Sequence, residues 1–176
     1  MVEPHAVLNA LDGAAATLAL RSACGAERWV QRMLARRPFA SSEALYASAE
    51  HEWRASTRED YLEAFGHHPR IGEDLAALRA RFQSTASLSL REQAGVAGAD
   101  EATLLALRDA NAAYRERFGY IFIICATGKT AAEMLAALRA RLDNDPDAEL
   151  SIAAAEHAKI TRLRLEGLAS QQEKAS

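Results

Sequence analysis

The sequence has few cysteines: Cys24 and Cys125 are the two thiols in a chain of 176 residues. Two cysteines do not make the disulfide framework of a small secreted domain, so a reducing, cytoplasmic location is expected. No apolar run approaches the ~18 residues of a membrane-spanning helix. The N-terminus lacks the apolar core of a signal peptide, and the C-terminal QQEKAS is not a peroxisomal Ser-Lys-Leu address. We therefore expect neither export nor a membrane partner.

Charge of one sign does not dominate, since 21 Lys and Arg residues oppose 24 Asp and Glu residues, for a formal net charge of −3. The arginines are scattered among acids, so the sequence lacks the basic patch that binds nucleic acid. Hydrophobic residues make up 49% of the chain, which at this length suits one compact core. We expect a single domain over residues 1–176, with a frayed tail from about Ala169.

Proline is scarce, and the four prolines lie where helices would start or stop. Between them, apolar residues recur with a helical period, which predicts an all-α fold, a single-domain bundle of about eight to ten helices. Thr57 with Asp60 resembles a capping box, and Asp100, Thr130 and Asp145 are predicted helix caps. The expected helices lie near residues 4–10, 13–22, 26–36, 42–55, 58–65, 73–82, 89–95, 100–118, 130–142 and 146–168.

One segment, YIFIIC at residues 120–125, does not follow the helical period. Its β-branched and aromatic residues favour a strand, but the sequence offers no second strand to pair with it. We therefore expect a short extended buried segment within the helical bundle. Its backbone N–H and C=O groups would lack ladder partners, and buried groups of that kind need partners. A ligand could supply them.

The sequence that follows, ATGKT at residues 126–130, resembles the end of a phosphate-binding loop. The first glycine of G-x-x-x-x-G-K-[ST] would have to be residue 123, which is Ile123. A β-branched residue resists the tight fold that this glycine allows. The sequence also lacks the repeated strands of a parallel sheet. It therefore predicts a helix start with Thr130 as N-cap rather than a nucleotide site.

The stretch GHHPRIGE at residues 66–73 concentrates titratable groups where no helix continues. It could be a solvated turn, a metal site or the edge of an active site. Adjacent His67 and His68 rarely bind one metal, and the other histidines show no ligand spacing with them, so no metal site is predicted. Pro69 restricts the preceding residue to extended geometry, which aims the imidazole of His68. Such an imidazole suits proton transfer; a surface or capping role is the alternative.

SLREQAG at residues 89–95 begins a short predicted helix. Ser89 and Glu92 have the spacing of a capping box, which would make both of them purely structural. That interpretation leaves Gln93 unexplained. Together the three side chains present a hydroxyl, a carboxylate and an amide, a set that suits a small ligand with many N–H and C=O groups.

Two arginines of the last predicted helix lie on different faces. Arg164 recurs at helical spacing with His157 on a partly apolar stripe. Arg162 lies on another face, where pairing with Glu166 four residues later explains it. An inward arginine must be paired or must meet an anionic ligand. The guanidinium of Arg164 could therefore pair with Glu92 or hold a substrate carboxylate.

In these motifs the chain resembles a known family, the 2-oxo-4-hydroxy-4-carboxy-5-ureidoimidazoline (OHCU) decarboxylases of urate degradation. Arg70 and Ile71 stand where some members carry Asp-Leu, so no chemistry is assigned to them. The resemblance covers most of the chain and depends on the order and spacing of RPF at 37–39, HPRIG at 68–72, SLREQAG at 89–95, YRERFGYIFIICATGKT at 114–130, RLDND at 141–145 and EHAKITRLRLEGL at 156–168.

The resemblance implies an all-α fold of the family's own type, a homodimer and a decarboxylase without a cofactor. The family's catalytic histidine precedes the proline, so it corresponds to His68 and not to His67. The catalytic glutamate and arginine correspond to Glu92 and Arg164. The implied substrate-binding residues are Pro69, Ser89, Gln93 and, through their backbone, Phe122 and Ile124.

The implied reaction is the decarboxylation of OHCU to (S)-allantoin. Loss of carbon dioxide leaves an electron pair that the adjacent ring carbonyl or imine accepts. The substrate therefore supplies its own electron sink, and no cofactor is expected. The alternative function is a non-catalytic helical module that binds a small ureide or purine-like anion without turnover.

Overall fold

The computed structural model describes residues 2–68 and 101–175. Within these ranges there is no β-strand, and the predicted all-α fold is confirmed. The described residues form eight helices: α1 (Pro4–Ala10), α2 (Gly13–Ala23), α3 (Glu27–Ala35), α4 (Ser42–Arg54), α5 (Arg58–Gly66), α6 (Glu101–Phe118), α7 (Ala131–Leu142) and α8 (Pro146–Ala175).

The chain divides into two compact units. The first contains Met1–His68 and Ala154–Ser176, and the second contains Pro69–Ala153. In the first unit α2 packs against α3, which also packs against α4 and α5; in the second unit α6 packs against α7. Helix α8 contributes residues to both units.

No helix in the described ranges is both long enough and apolar enough to cross a membrane.

Side-chain caps begin the helices where the sequence predicts them. Thr57 and Asp60 form a capping box at the start of α5, and Thr130 and Glu133 form another at the start of α7. Each box satisfies backbone N–H groups that the first helical turn leaves without partners. The Oδ1 atom of Asp145 accepts a backbone N–H from the first turn of α8 at 3.0 Å. The GKT sequence is therefore a helix start, as predicted.

The predicted and observed helices differ at the end of α8. This helix continues to Ala175, whereas the sequence predicted an end near Leu168. The residues after Leu168 include alanine, glutamine, glutamate and lysine, which are good helix formers, and neither glycine nor proline interrupts them. The helices predicted near 73–82 and 89–95, and the cap predicted at Asp100, lie outside the described residues.

The core of the first unit contains Trp29, whose side chain is fully buried. Its indole N–H donates to the carbonyl oxygen of Ala49 at 3.0 Å, so the polar edge of the ring is satisfied inside the core. Apolar side chains from all five helices before His68 are also fully or almost fully buried: Leu8, Leu20, Met33, Leu45 and Phe65. This packing holds the C-terminal ends of α2 and α5, where the candidate site lies.

A buried polar cluster organises the second unit. The carboxylate of Glu149 is fully buried and accepts hydrogen bonds from the hydroxyl of Tyr114 and from Nε of Arg141, the latter at 2.8 Å. Nδ2 of Asn144 donates to the second carboxylate oxygen at 2.8 Å. Nη1 of Arg141 also donates to the carbonyl oxygen of Ile123 at 2.9 Å. The cluster therefore ties three helices to the extended segment.

Replacing Glu149 with alanine is expected to lower the free energy of unfolding by about 3–5 kcal/mol, because the nearly buried charge of Arg141 then lacks its partner. Urea unfolding measures the loss. The matched control is Glu50→Ala, since the Glu50–Arg54 ion pair is exposed on α4 and such pairs are worth about 0–1 kcal/mol. A loss for Glu149→Ala no larger than that for the control would contradict this prediction.

Candidate active site

His68 lies just beyond the C-terminal end of α5. Its backbone N–H donates to the carbonyl oxygen of Phe65 at 3.1 Å, and that of His67 donates to Ala64 at 3.2 Å. The His68 side chain is half-buried, and its Nε2 atom is buried with no hydrogen-bond partner among the described residues. A buried polar atom without a partner lowers stability unless water or a ligand meets it. The ring nitrogen is therefore suited to binding a ligand.

The surroundings of His68 keep its imidazole neutral. Burial, with smaller contributions from the charges of Arg164 and His67, lowers the pKa of His68 to about 4. A neutral imidazole has a nitrogen that accepts a proton, whereas an imidazolium only donates. At neutral pH the site therefore presents His68 as a base.

The guanidinium of Arg164 lies at the C-terminal end of α2. Its Nη1 atom donates to the carbonyl oxygens of Ser22 and Ala23, at 3.2 Å each. Carbonyls of a last helical turn lack partners within the helix and favour a nearby cation. Among residues 2–68 and 101–175, no carboxylate forms an ion pair with Arg164. Within these ranges its charge is therefore available to an anionic ligand.

Arg162 has the surface role that its spacing predicts. Its Nε atom donates to Oε1 of Glu166 at 2.9 Å, and its side chain is 59% exposed. Its guanidinium carbon also lies 4.5 Å from the centroid of the Tyr46 ring. The predicted Arg162–Glu166 pair is confirmed, and the two arginines of α8 have different surroundings.

Cys24 follows α2 beside this site but has a packing role. Its side chain is buried, and burial raises the pKa of its thiol to about 12, although the charge of Arg164 acts in the opposite direction. The thiolate is the nucleophilic form of cysteine. Cys24 therefore remains a protonated, unreactive thiol at neutral pH.

The extended segment 120–125 lies in the second unit, after Gly119 ends α6 with a φ of 79°. It is neither helix nor strand, and the side chains of Phe122 and Ile124 are buried, as predicted. Arg141 holds the carbonyl between them. No hydrogen bond between described residues uses the backbone groups of Phe122 or Ile124. These are the backbone groups for which the sequence analysis predicted that a ligand could supply hydrogen-bond partners.

Four predicted site residues lie outside the described part of the chain: Pro69, Ser89, Glu92 and Gln93. Their roles stay predictions. The structure brings His68 and Arg164 into the same unit, where the charge of Arg164 lowers the pKa of His68. Phe122 and Ile124 belong to the second unit. In the two described ranges, no three His, Cys, Asp or Glu side chains are grouped to hold a metal ion.

The contact between His157 and His68 was not predicted from the sequence. The side chain of His157 is fully buried, and the centroids of the two rings lie 4.9 Å apart at an interplanar angle of 79°. Burial, with smaller contributions from His68 and Arg164, lowers the pKa of His157 to about 3. The available signal was its helical spacing from Arg164, since residues two turns apart share a face.

Gly25, two residues after the end of α2, lies close to the side chain of His67. It has a φ of 93°, and a Cβ atom added there would lie 2.9 Å from Cβ of His67. Gly25→Ala is expected to lower the free energy of unfolding by about 1–2 kcal/mol for the left-handed backbone, and by about 1–3 kcal/mol more for the contact. Gly13→Ala is the control, because its added Cβ meets nothing within 4 Å. Equal urea midpoints for the two variants would contradict the prediction.

His68 and His157 make the stability of the protein depend on pH. Burial lowers the pKa values of His68 and His157 to about 4 and about 3, whereas an unfolded histidine titrates near ~6.5. The unfolded chain then binds more protons, so the free energy of unfolding should fall as the pH falls from about 6.5. Urea unfolding at several pH values between 7.5 and 5.5 measures the slope. His157→Phe should reduce the pH dependence of the free energy of unfolding, whereas His51→Asn, at an exposed position, should not. An unchanged pH dependence in His157→Phe would show that His157 does not cause it.

The fold and the site define an all-α protein in which a half-buried histidine and an arginine share their surroundings. The sequence model of a family described as OHCU decarboxylase matches residues 9–166. The chain therefore belongs to the OHCU decarboxylase family, and the resemblance in its motifs is confirmed.

Relatives and solved structures agree with this assignment. The chain is 39% identical over 153 residues to the uric acid degradation bifunctional protein TTL of Arabidopsis thaliana, covering 86% of this chain but 46% of that protein. It is 35% identical over 138 residues to the OHCU decarboxylase of Amia calva, covering 75% and 74%. A crystal structure of OHCU decarboxylase in the presence of (S)-allantoin matches with a TM-score of 0.68 and 39% identity, over 85% of this chain and 96% of that one. The chain thus spans less than half of the Arabidopsis protein.

Proposed function

We propose that the protein catalyses the cofactor-independent decarboxylation of OHCU to (S)-allantoin in urate degradation. Family membership supports the reaction class, and the similar crystal structure of OHCU decarboxylase was obtained in the presence of (S)-allantoin. The observation that carries the proposal is the half-buried His68, whose Nε2 atom has no hydrogen-bond partner among the described residues, in the same unit as an Arg164 guanidinium anchored on carbonyls of α2. Decarboxylation followed by proton transfer needs a base and a cation in one site.

His68 is the base in this proposal. Its neutral ring has a nitrogen that can accept the proton of the substrate hydroxyl. The bond between the ring carbon and the carboxylate then breaks and carbon dioxide leaves. The electron pair of that bond moves onto the adjacent ring carbonyl or imine. The carbon that carried the hydroxyl becomes a carbonyl. Protons then add to the former imine nitrogen and to one face of the neighbouring ring carbon, which bears the ureido arm; this completes (S)-allantoin, so the protein must also select the face.

Arg164 is the cation in this proposal. Among the described residues, only its Nη1 atom is engaged, by two carbonyl oxygens of α2. The remaining guanidinium nitrogens suit a carboxylate, which arginine binds through two parallel hydrogen bonds. The same charge stabilises the enolate that develops as carbon dioxide leaves. Anchoring by α2 keeps the guanidinium in one position through both steps.

Further residues would bind and orient the substrate. Glu92 is assigned as the third catalytic residue, with His68 and Arg164. Pro69 restricts the backbone of the preceding residue, His68. The polar atoms of the ring and of the ureido arm are assigned to Ser89, Gln93 and the backbone of Phe122 and Ile124. The absence of hydrogen bonds from described residues to these two backbone positions supports their part in binding.

The protein is also proposed to act as one domain, as a homodimer and in the cytoplasm. The family match extends over residues of both compact units, which supports one functional domain. The homodimer follows from the family resemblance, and light scattering on the purified chain tests it. The buried thiol of Cys24 fits a reducing compartment.

The activity test uses purified protein and freshly prepared OHCU, without added metal or cofactor. We expect the substrate to decay faster than it does spontaneously, and the allantoin formed to be optically active. Absorbance follows the decay, and circular dichroism reports the handedness. Spontaneous decay to racemic allantoin in the presence of bound ligand would contradict the enzyme proposal and favour the non-catalytic binding module.

A further inference from the structure

His157 is buried more deeply than any other histidine among the described residues, with no exposed side-chain surface. Full burial of a histidine is uncommon, because its ring nitrogens must give up water. Here the Nε2 atom has no hydrogen-bond partner in the described part of the chain. A leucine would fill this place without leaving such an atom unsatisfied. What this position does provide is a planar ring in contact with Trp53, Phe65 and His68.

Trp53 holds one face of the His157 ring. The two ring centroids lie 4.5 Å apart at an interplanar angle of 22°, which is a stacked arrangement. The indole N–H of Trp53 donates to the carbonyl oxygen of Ala154 at 2.9 Å. This carbonyl belongs to the turn of α8 that precedes His157, so the indole and the imidazole are attached to the same stretch of helix. The hydrogen bond and the ring contact together fix the position of the Trp53 indole along α8.

Two further contacts fix the direction of the His157 ring. Its Nδ1 atom lies 3.3 Å from the hydroxyl oxygen of Thr161, one turn later on α8. Its ring also packs at a tilt against Phe65, with centroids 5.8 Å apart. A planar ring with a stacked neighbour, a polar neighbour and a tilted neighbour has little freedom to rotate. The edge or face that it presents to His68 is thus defined.

We propose that His157 is a positioning residue, whose buried ring holds the imidazole of His68 in one orientation through the edge-to-face contact between them. The centroids of the two rings are 4.9 Å apart at 79°, within the range of favourable aromatic pairs. Only His68 of the pair lies outside a helix, one residue after His67, the C-cap of α5. Because His68 lies beyond the last turn of α5, its side chain is not held by that helix. The ring contact with His157 on α8 restrains it instead. This inference rests on the proposed function of His68 as the base.

The first test compares two substitutions of His157 in the full-length protein. His157→Leu fills the space but lacks a planar ring, so kcat is expected to fall about tenfold to a hundredfold while KM changes less than about threefold. His157→Phe keeps both ring contacts and should recover most of kcat. A merely structural role would lower stability in both variants without separating kcat from KM. A kcat within about threefold of wild type in folded His157→Leu, or equal losses in both variants, would overturn the proposal.

The second test does not depend on the reaction. In NMR spectra of the protein with ¹⁵N-labelled histidine, the ring signals of His68 are assigned by their loss in His68→Asn. We expect one narrow set of signals in wild type and in His157→Phe, and broadened or doubled signals in His157→Leu, because the ring then samples more than one orientation. A single narrow set in His157→Leu would overturn the proposal. If wild type lacked decarboxylase activity, the proposed function would fail while this test still decided the role of His157.

Thr161→Val covers the case in which a ring variant does not fold. It removes the hydroxyl beside Nδ1 of His157 and leaves the imidazole, Trp53 and His68 in place. The ring of His157 loses one restraint, so kcat should fall by about threefold or more with an unchanged KM. A kcat equal to that of wild type, together with unchanged His68 signals, would count against the proposal.

Discussion

Replacing His68 with asparagine should lower the turnover number for OHCU by about two to four powers of ten, which is what a positioned general base contributes. Asparagine keeps a polar side chain but cannot take up a proton. The half-buried imidazole, neutral because burial lowers its pKa to about 4, is otherwise the group that does so. Steady-state rates with freshly made substrate, in protein whose helicity and urea midpoint match wild type, measure the loss.

The matched control for this prediction is His67→Asn. His67 is the neighbouring residue and shares the end of α5, yet its position does not precede the proline. Turnover by His67→Asn should stay within about threefold of wild type, as expected for a residue outside the chemistry. Near-normal turnover by His68→Asn, or equal losses in both variants, would remove His68 from the role of base.

Replacing Arg164 with glutamine should lower kcat/KM by about two to three powers of ten, the effect of removing one preorganised group from developing negative charge. Arg164→Lys keeps the charge but loses the planar pair of donors, so an intermediate loss is expected. The three proteins give a graded series in kcat/KM, measured at one ionic strength. A variant that lost stability alone would recover full activity at lower temperature, and these variants should not.

Arg162→Gln is the control for the arginine series because it removes an equal charge from the same helix. Arg162 is paired with Glu166 at the surface, where such a pair is worth about 0–1 kcal/mol. Its kcat/KM should therefore remain near that of wild type. Similar losses for Arg162→Gln and Arg164→Gln would indicate a general effect of net charge and would contradict a specific role for Arg164.

Local signals in the sequence predicted most helix starts. Thr57 and Thr130 form the expected capping boxes because a cap involves residues within one turn of each other. The same locality explains why the GKT sequence could be recognised as a helix start. The end of α8 was missed because helix formers follow Leu168 without a stop signal, and a missing stop is harder to interpret than a present one.

Helical spacing also separated the two arginines of α8, since it assigns residues to faces. It could not identify what each face meets. The acceptors of Arg164 are carbonyls of α2, at the other end of the chain, and no periodicity points to them. The contact of His157 with His68 is of the same kind, because it depends on how α5 and α8 pack.

The extended segment 120–125 was predicted from the sequence, but the side chains that support it were not. Its composition predicted a buried, non-helical stretch because β-branched and aromatic residues interrupt the helical pattern. The support that Arg141 and Glu149 give it was not predicted. Their pairing spans the turn between α7 and α8, and burial of both charges becomes apparent only once the helices are packed.

The most direct test of the site is the position of bound (S)-allantoin in a crystal structure of this protein. The proposed function predicts Nε2 of His68 within about 2.6–3.2 Å of a polar atom of the ligand, the reach of a proton-transfer group. It also predicts hydrogen bonds from the guanidinium of Arg164 to the same molecule. Allantoin bound at a place that neither side chain reaches would contradict the assignment of this site.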